Sequence, residues 1–182
     1  MTSPDPFADL QIPSDYGRNP RRPRFNEAAA LEDVEPNLVG TMQRLAPETA
    51  AAWRDLKSSA AGAGVQLLLV SGFRSIRHQA DIIRRKLAAG QSIEAILTVN
   101  AAPGYSEHHT GRAIDIATPG TRPLTAEFDL SAAFKWLQAN AGSFGFRMPY
   151  GRGNRFGFEY EPWHWSQVET DVRRRKSDAR LG

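Results

Sequence analysis

The apolar residues of this chain come in short groups, and this limits the folds that it can adopt. The longest candidate, VQLLLV at 65–70, has six residues, of which only Gln66 is polar, and it lies between glycines. A helix that crosses a bilayer needs about 18 to 20 apolar residues, so the sequence predicts no membrane span. A short apolar run between glycines is instead typical of a buried strand.

Apolar spacing divides the rest of the chain into helices that come early and strands that come late. Helical spacing predicts helices at 46–64, 75–90, 92–100 and 130–145, with Ser75 as the cap of the second. Alternation predicts a half-buried strand at 112–117, and a hairpin of 144–150 with 158–166 around the loop GRGN. Together with the strand at 65–72, these elements predict the α+β class: a single domain with a small, mainly antiparallel sheet flanked by helices.

Length and composition indicate one soluble domain. The 182 residues are 41% hydrophobic and 24% charged, as in ordinary globular proteins. Cysteine is absent, which excludes disulfides and thiolate metal ligands. We expect a poorly ordered N-terminal lead-in at 1–25, the folded domain at 26–168 and a basic C-terminal tail at 169–182.

The positive charge of the chain is concentrated near its ends. The net charge is +3, and arginines cluster at 18–24 and at 173–175. We interpret these clusters as solvated tails, so no nucleic-acid partner is predicted, and we expect a monomer. The N-terminal stretch lacks the apolar core of a signal peptide, which favours the cytoplasm, with a periplasmic or extracellular location by another export route as the alternative.

Three of the four histidines lie in two short segments that also carry carboxylates. The first segment holds His108, His109 and Asp115, and the second, EPWHW, holds Glu161 and His164. A catalytic zinc site takes three protein ligands from His and Asp or Glu and leaves one position for water. One histidine of the first segment, Asp115 and His164 fit this requirement, and Glu161 remains as a base. Strand parity does not decide between His108 and His109.

Residues 162–166, PWHWS, are predicted to form a strand at the edge of the sheet. Pro162 cannot donate to a strand ladder, which favours an edge or the first residues of a strand. Alternation places Trp163 and Trp165 on one face and His164 on the other. The imidazole can then face a cleft while the tryptophans pack in the core.

Three motifs in this order resemble those of the VanY-type D-alanyl-D-alanine carboxypeptidases, which are bacterial zinc peptidases of peptidoglycan with the LAS-type fold. They are SGFRS at 71–75 with Gln79, PGYSEHHTGRAIDI at 103–116 and EPWHW at 161–165, and the resemblance covers about residues 25–168. The family commonly continues EPWHWRY, whereas Ser166 and Gln167 follow here. This departure concerns the contacts of the last strand and the peptide specificity.

The resemblance implies a role for each matching residue. It makes His108, Asp115 and His164 the zinc ligands and Glu161 the catalytic base, and it gives His109 a variable position at the rim or surface. Arg74, Gln79 and Ser106 match positions that hold the substrate carboxylate and polarise the scissile carbonyl. From the residues alone, Ser106 can equally cap a turn, and Gln79 can equally be exposed on its helix.

The sequence therefore predicts a zinc carboxypeptidase that removes the terminal D-alanine from peptidoglycan stem peptides or muropeptides, with an L,D bond favoured over a D,D bond. Arg74 offers a planar pair of donors for a terminal carboxylate or an oxyanion. One alternative is an endopeptidase or endolysin that cuts cross-bridges, and another is a non-catalytic wall-binding module. The presence of Glu161 and Arg74 favours catalysis over the binding module.

Overall fold

The computed structural model describes residues 7–168, and its four α-helices begin where the sequence offers a cap or a proline. The bounds are α1 Pro47–Gly62, α2 Ile76–Ala88, α3 Ile93–Val99 and α4 Ala132–Asn140. The hydroxyls of Ser75, Ser92 and Ser131 each accept a hydrogen bond from the backbone N–H three residues further on. Pro47 occupies the first turn of α1, where no intrahelical donor is lost. No helix within 7–168 is long and apolar enough to cross a membrane.

The fourth helix is shorter than its apolar spacing predicts. α4 ends at Asn140, and the chain continues as a 3-10 helix at Ala141–Phe144 that closes on Gly145 with φ +81°. A glycine adopts this left-handed conformation without steric cost, so the tighter turn ends the helix there.

A four-stranded antiparallel sheet forms the centre of the domain. Its strands are β3 Leu68–Ser71, β4 Ala113–Ala117, β5 Phe146–Arg147 and β6 His164–Gln167, in the spatial order β3-β4-β6-β5. The sequence predictions of the α+β class and of a small antiparallel sheet are confirmed.

Two details of the predicted strands are wrong. β4 is buried at all five residues instead of half-buried, because Ile114 and Ile116 face the apolar core while Asp115 faces a closed polar site. β6 is an inner strand between β4 and β5, and Pro162 lies before its first residue. The predicted hairpin partners do pair, but residues 148–163 form a long connection instead of a tight turn.

A second, two-stranded sheet was not predicted from the sequence. Its strands, β1 Glu32–Pro36 and β2 Met42–Leu45, pair in antiparallel fashion beside α1. β1 has the sequence EDVEP and is largely exposed, so it carries no apolar alternation that would reveal a strand. Its acidic side chains instead pair with the exposed face of α1, where Lys57 meets Glu35 at 2.5 Å.

The described residues form two apolar cores. The larger lies between α1, α4 and the central sheet and includes Trp53, Ile114 and Trp165. The smaller joins α2 and α3 to the N-terminal stretch, where Leu10 is fully buried and Tyr16 nearly so. Residues 7–25 thus differ from the expected loose lead-in, because their apolar side chains complete this second core. The predicted tail at 169–182 lies outside the described residues.

We predict that Gly111→Ala destabilises the protein far more than Gly153→Ala. The two glycines have the same backbone conformation, with φ +67° and φ +68°. A Cβ at Gly111 would lie 2.8 Å from the backbone nitrogen of Ala46, whereas nothing lies within 4 Å of one at Gly153. We expect both to lose about 1 to 2 kcal/mol from the left-handed backbone, and G111A to lose roughly 1 to 3 kcal/mol more from the clash.

Urea denaturation of the two variants measures this difference directly. Because both variants carry the same backbone penalty, the difference between them measures the close approach of Gly111 to Ala46, the residue between β2 and α1. Equal free energies of unfolding for G111A and G153A would contradict this description of the packing.

Candidate active site

The three predicted metal ligands come together on one face of the central sheet. His108 lies on the 3-10 helix Glu107–Thr110 that leads into β4, Asp115 is the middle residue of β4, and His164 begins β6. The register of β4 with β6 places Asp115 directly opposite His164. All three side chains are at least 94% buried and line one cavity of about 470 Å³.

The spacing of the ligand atoms fits a tetrahedral zinc ion. Nε2 of His108 lies 3.3 Å from Oδ2 of Asp115, and Nδ1 of His164 lies 3.1 Å from Oδ1 of Asp115. One ligand atom from each residue lies within 4.8 Å of the others. Tetrahedral ligands at zinc bond lengths of about 2.0 to 2.2 Å are separated by about 3.3 Å. The Asp115 carboxylate lies within that range of both imidazoles, one oxygen to each, so the three residues can share one ion.

In each of the two ligand histidines, one ring nitrogen makes a hydrogen bond outside the cluster. This bond directs the other ring nitrogen towards the cluster. Nδ1 of His108 donates to the carbonyl of Gly72 at 2.7 Å, leaving the Nε2 lone pair directed at Asp115. Nε2 of His164 donates to Oε2 of Glu107 at 3.0 Å, leaving Nδ1 beside Asp115. Partners of this kind fix the tautomer and ring orientation of metal-binding histidines.

The charges of the cluster favour a bound cation. Burial lowers the pKa of His108, which keeps this ring neutral and able to act as a ligand. Although burial opposes its ionisation, His108 and His164 hold the pKa of Asp115 well below its usual range. Burial also lowers the pKa of His164, but hydrogen bonds to Asp115 and Glu107 outweigh it and raise that pKa to about 10. A cation at Nδ1 takes the place of this proton, so metal binding and protonation compete there.

His109 is placed away from the ligand cluster, which resolves the choice that strand parity left open. Its ring is fully buried, donates from Nδ1 to the carbonyl of Arg74 at 2.6 Å and accepts at Nε2 from the backbone N–H of Gly104 at 3.1 Å. Both nitrogens are therefore used to join two loops. The expectation of a rim or surface position for His109 is wrong, because a 3-10 helix at 107–110 turns its ring inward instead of outward.

Arg74 faces the cavity and is fixed by three neighbouring groups. Nη2 lies 3.2 Å from the hydroxyl of Ser71 and 3.8 Å from Oδ2 of Asp115, and Nη1 donates to Oε1 of Gln79 at 3.0 Å. The backbone N–H of Arg74 also donates to the carbonyl of His108 at 3.1 Å. The guanidinium is thus directed at the ligand cluster before any substrate arrives.

The other two predicted substrate contacts have different positions. Gln79 is fully buried, is not exposed on its helix and does not line the cavity. Its amide accepts from Arg74 and donates to the carbonyl of Ala101 at 2.7 Å, so it holds the Arg74 side chain, and its contact with substrate stays a prediction. Ser106 is buried and lines the cavity, and its hydroxyl makes no capping hydrogen bond to the helix that follows.

Glu161 lies across the cavity from β4, in the turn that leads into β6. Its backbone N–H donates to the carbonyl of Tyr150 at 3.0 Å, and its carbonyl accepts from the N–H of His164 at 3.1 Å. Burial raises the pKa of the Glu161 carboxyl to about 7; Asp115 raises it further, while His164 and Arg74 oppose the rise. A carboxyl of this pKa can both accept and return a proton near neutral pH.

Three residues of the site were not identified from the sequence. Glu107 binds His164, Tyr150 stacks on the His164 ring with centroids 4.6 Å apart, and Lys86 lines the cavity while donating to Oδ1 of Asn100 at 2.5 Å. The only available signal was that Glu107 is a carboxylate next to a predicted ligand. Tyr150 and Lys86 lie outside the three motifs, and only the folded chain brings them to the site.

Comparisons with known proteins agree with this arrangement. A family model described as VanY, D-alanyl-D-alanine carboxypeptidase, matches residues 42–170. The chain is 30% identical to a D-alanyl-D-alanine carboxypeptidase of Enterococcus faecalis over 159 residues, which are 82% of this chain and 58% of that protein. The chain spans little more than half the length of the curated relatives that it matches.

Two solved structures share the fold. The LdcB LD-carboxypeptidase has a TM-score of 0.71 and 31% identity, covering 87% of this chain and 77% of that one. A mutant of the vancomycin-resistance D,D-pentapeptidase VanY, solved in complex with Zn(II), has a TM-score of 0.61 and 28% identity, covering 80% and 82%. With a family match over most of the chain, and with His108, Asp115, His164 and Glu161 gathered in one cavity, the chain belongs to the VanY D-alanyl-D-alanine carboxypeptidase family.

Proposed function

We propose that this protein is a zinc-dependent carboxypeptidase that removes the terminal D-alanine from peptidoglycan stem peptides. The observation that carries the proposal is a single cavity in which the cluster of His108, Asp115 and His164 faces Glu161 and Arg74. The related structures include a Zn(II) complex of a D,D-pentapeptidase and an LD-carboxypeptidase described as recognising peptidoglycan.

Each side chain around the cluster has a separate role in the proposed reaction. Zinc bound there would polarise the scissile carbonyl and bring the pKa of a bound water from about 15.7 towards 7. Glu161 takes the proton of the attacking water and passes it to the nitrogen of the leaving D-alanine, so that the amide bond breaks as the carboxyl group forms. Arg74 donates to the negative charge that develops on the carbonyl oxygen or to the terminal carboxylate.

The substrate bond that we propose is an L,D bond, in a stem peptide that ends in one D-alanine. An LD-carboxypeptidase and a D,D-pentapeptidase share the fold, at TM-scores of 0.71 and 0.61, so the muropeptide assay below decides between the two bonds. The two cations that line the cavity, Arg74 and Lys86, suit a ligand with a free terminal carboxylate. An interior bond of a cross-bridge would carry no such charge at this position.

We expect the purified protein to release alanine from a tetrapeptide-stem muropeptide, and we expect a chelator to abolish this release until zinc is restored. Tripeptide-, tetrapeptide- and pentapeptide-stem muropeptides are incubated in parallel, and the products are followed by mass spectrometry. Alanine released from the pentapeptide alone would change the assignment to a D,D bond. Cleavage of cross-linked dimers without release of alanine would indicate an endopeptidase, and unchanged substrates with zinc-loaded protein would contradict the proposal.

The exchange Glu161→Gln is expected to lower kcat by about 10² to 10⁴-fold, because the amide cannot accept the proton of water. The zinc content should not change, since Glu161 lies outside the ligand cluster. Glu94→Gln, an exposed glutamate in the first turn of α3, is the matched control and should keep wild-type activity. An E161Q protein that retains zinc and full activity would exclude Glu161 as the base.

For Arg74→Ala we expect a loss of about 10 to 100-fold in kcat/KM, since a charged hydrogen bond contributes about 1.5 to 3 kcal/mol. Arg77→Ala, one turn further along and exposed on α2, is the control and should be neutral. Gln79→Ala should show a smaller loss in the same parameter, because it frees the Arg74 side chain without removing its charge. Equal activities of R74A and R77A would exclude Arg74 from the reaction.

A further inference from the structure

We propose that Glu107 is a positioning residue that holds the His164 ring in the orientation in which Nδ1 faces the metal ligands. The inference rests on the proposed zinc site and adds to it a carboxylate outside the ligand cluster. Oε2 of Glu107 lies 3.0 Å from Nε2 of His164, and the Glu107 side chain is 10% exposed.

The two nitrogens of His164 have different surroundings. Nδ1 faces Asp115, whose other carboxylate oxygen meets Nε2 of His108, so the three ligand atoms converge on that side. Nε2 points away from the cluster and meets Glu107. A neutral imidazole has one donor and one acceptor nitrogen, and a carboxylate accepts only. Both nitrogens of His164 face a carboxylate, so a metal that takes the Nδ1 position leaves the one remaining ring proton on Nε2, where Glu107 accepts it.

The stacking of Tyr150 does not by itself fix the orientation of the His164 ring. Its ring lies at 27° to the His164 ring, with centroids 4.6 Å apart, and it restrains the plane of the imidazole. A half-turn of the ring about its Cβ–Cγ bond would keep the stacking, but it would put ring carbons where Nδ1 and Nε2 now lie. The hydrogen bond to Glu107 opposes this half-turn from the outer side of the ring, because it requires a nitrogen donor at that position.

Glu107 is itself held by the neighbouring strand. Nη2 of Arg147 on β5 lies 3.6 Å from Oε1 of Glu107, the oxygen that does not face His164. Arg147 pairs with Ser166 on β6, two residues after His164 and on the same face of that strand. Glu107, Arg147 and Ser166 also line a second cavity, of about 320 Å³. The contacts of Arg147 with Glu107 and of Glu107 with His164 therefore connect this cavity to the ligand cluster.

The two histidine ligands are thus held by acceptors of different charge. His108 donates to the neutral carbonyl of Gly72, and His164 donates to the charged carboxylate of Glu107. A carboxylate partner raises the basicity of an imidazole ligand, and loss of such a partner typically weakens metal binding by about 10 to 100-fold. Unlike the Gly72 carbonyl, the Glu107 carboxylate can be removed by substitution.

Zinc affinity and the visible spectrum of the cobalt-substituted full-length protein test this role without a substrate. The zinc dissociation constant is measured by competition with a chromophoric chelator for E107A, E107D, E107Q and R147A, with Glu94→Ala as the exposed control. Asp keeps the charge but withdraws the carboxylate from Nε2, whereas Gln keeps the length and an oxygen acceptor. A hydrogen bond that positions the ring should therefore be lost in E107D and largely kept in E107Q.

We expect E107A and E107D to bind zinc about 10 to 100-fold more weakly than wild type and to show an altered cobalt spectrum. E107Q should recover most of the affinity and the wild-type spectrum, R147A should lose less than E107A because Arg147 is half-exposed, and E94A should match wild type. Circular dichroism of the metal-free proteins identifies any variant that does not fold.

Wild-type zinc affinity and an unchanged cobalt spectrum in folded E107A would overturn the inference. Should E107A not fold, the comparison of E107D with E107Q decides, and equal affinities of these two would overturn it. Different results would contradict the proposed function. These are a wild-type protein that binds no zinc, or one that binds zinc and leaves every stem peptide intact.

Discussion

The pairing of β4 with β6 is the constraint on which the rest of the site depends. It places Asp115 opposite His164, while the pairing of β3 with β4 places Ser71 on the other side of Asp115. Successive side chains of a strand point to opposite faces of the sheet. A shift of one residue in β6 would therefore turn His164 into the apolar core and Trp165 into the cavity. The burial of Trp165 against Phe134 thus fixes the same register that the ligand cluster requires.

A second set of contacts joins the loop after β3 to the 3-10 helix before β4. His108 donates to the carbonyl of Gly72 and His109 to the carbonyl of Arg74, while the backbone N–H of Arg74 donates to the carbonyl of His108. The adjacent histidines therefore have separate tasks, since one ring meets the ligand cluster and the other joins the loops. A change of either loop moves both the first ligand and the arginine that faces it.

The buried charges of the site explain why a cation belongs there. Asp115, Glu107 and Glu161 bring three carboxyl groups into a largely buried region, and Arg74 is the cation directed at the cluster. Buried carboxylates are costly unless hydrogen bonds and positive charge compensate them. Glu161 responds to this environment by a raised pKa, whereas Asp115 stays ionised between two imidazoles. The buried negative charge that favours a bound cation also helps to raise the pKa of Glu161, which can then exchange a proton near neutral pH.

The sequence by itself determined the α+β class, the starts of the capped helices and the set of side chains able to bind a metal. These depend on local properties: apolar spacing, serine caps, and residue types suited to zinc. It did not determine β1, the inner position of β6 or the packing of residues 7–25, because these elements are stabilised by partners distant in the chain. Strand alternation did not decide between His108 and His109, which only the resemblance separated. Nor did the sequence give Gln79 its place behind Arg74, or assign Glu107 and Tyr150 to the site. Ring orientation, burial and pKa are set by neighbours that only the tertiary structure brings together, so only the structure could decide them.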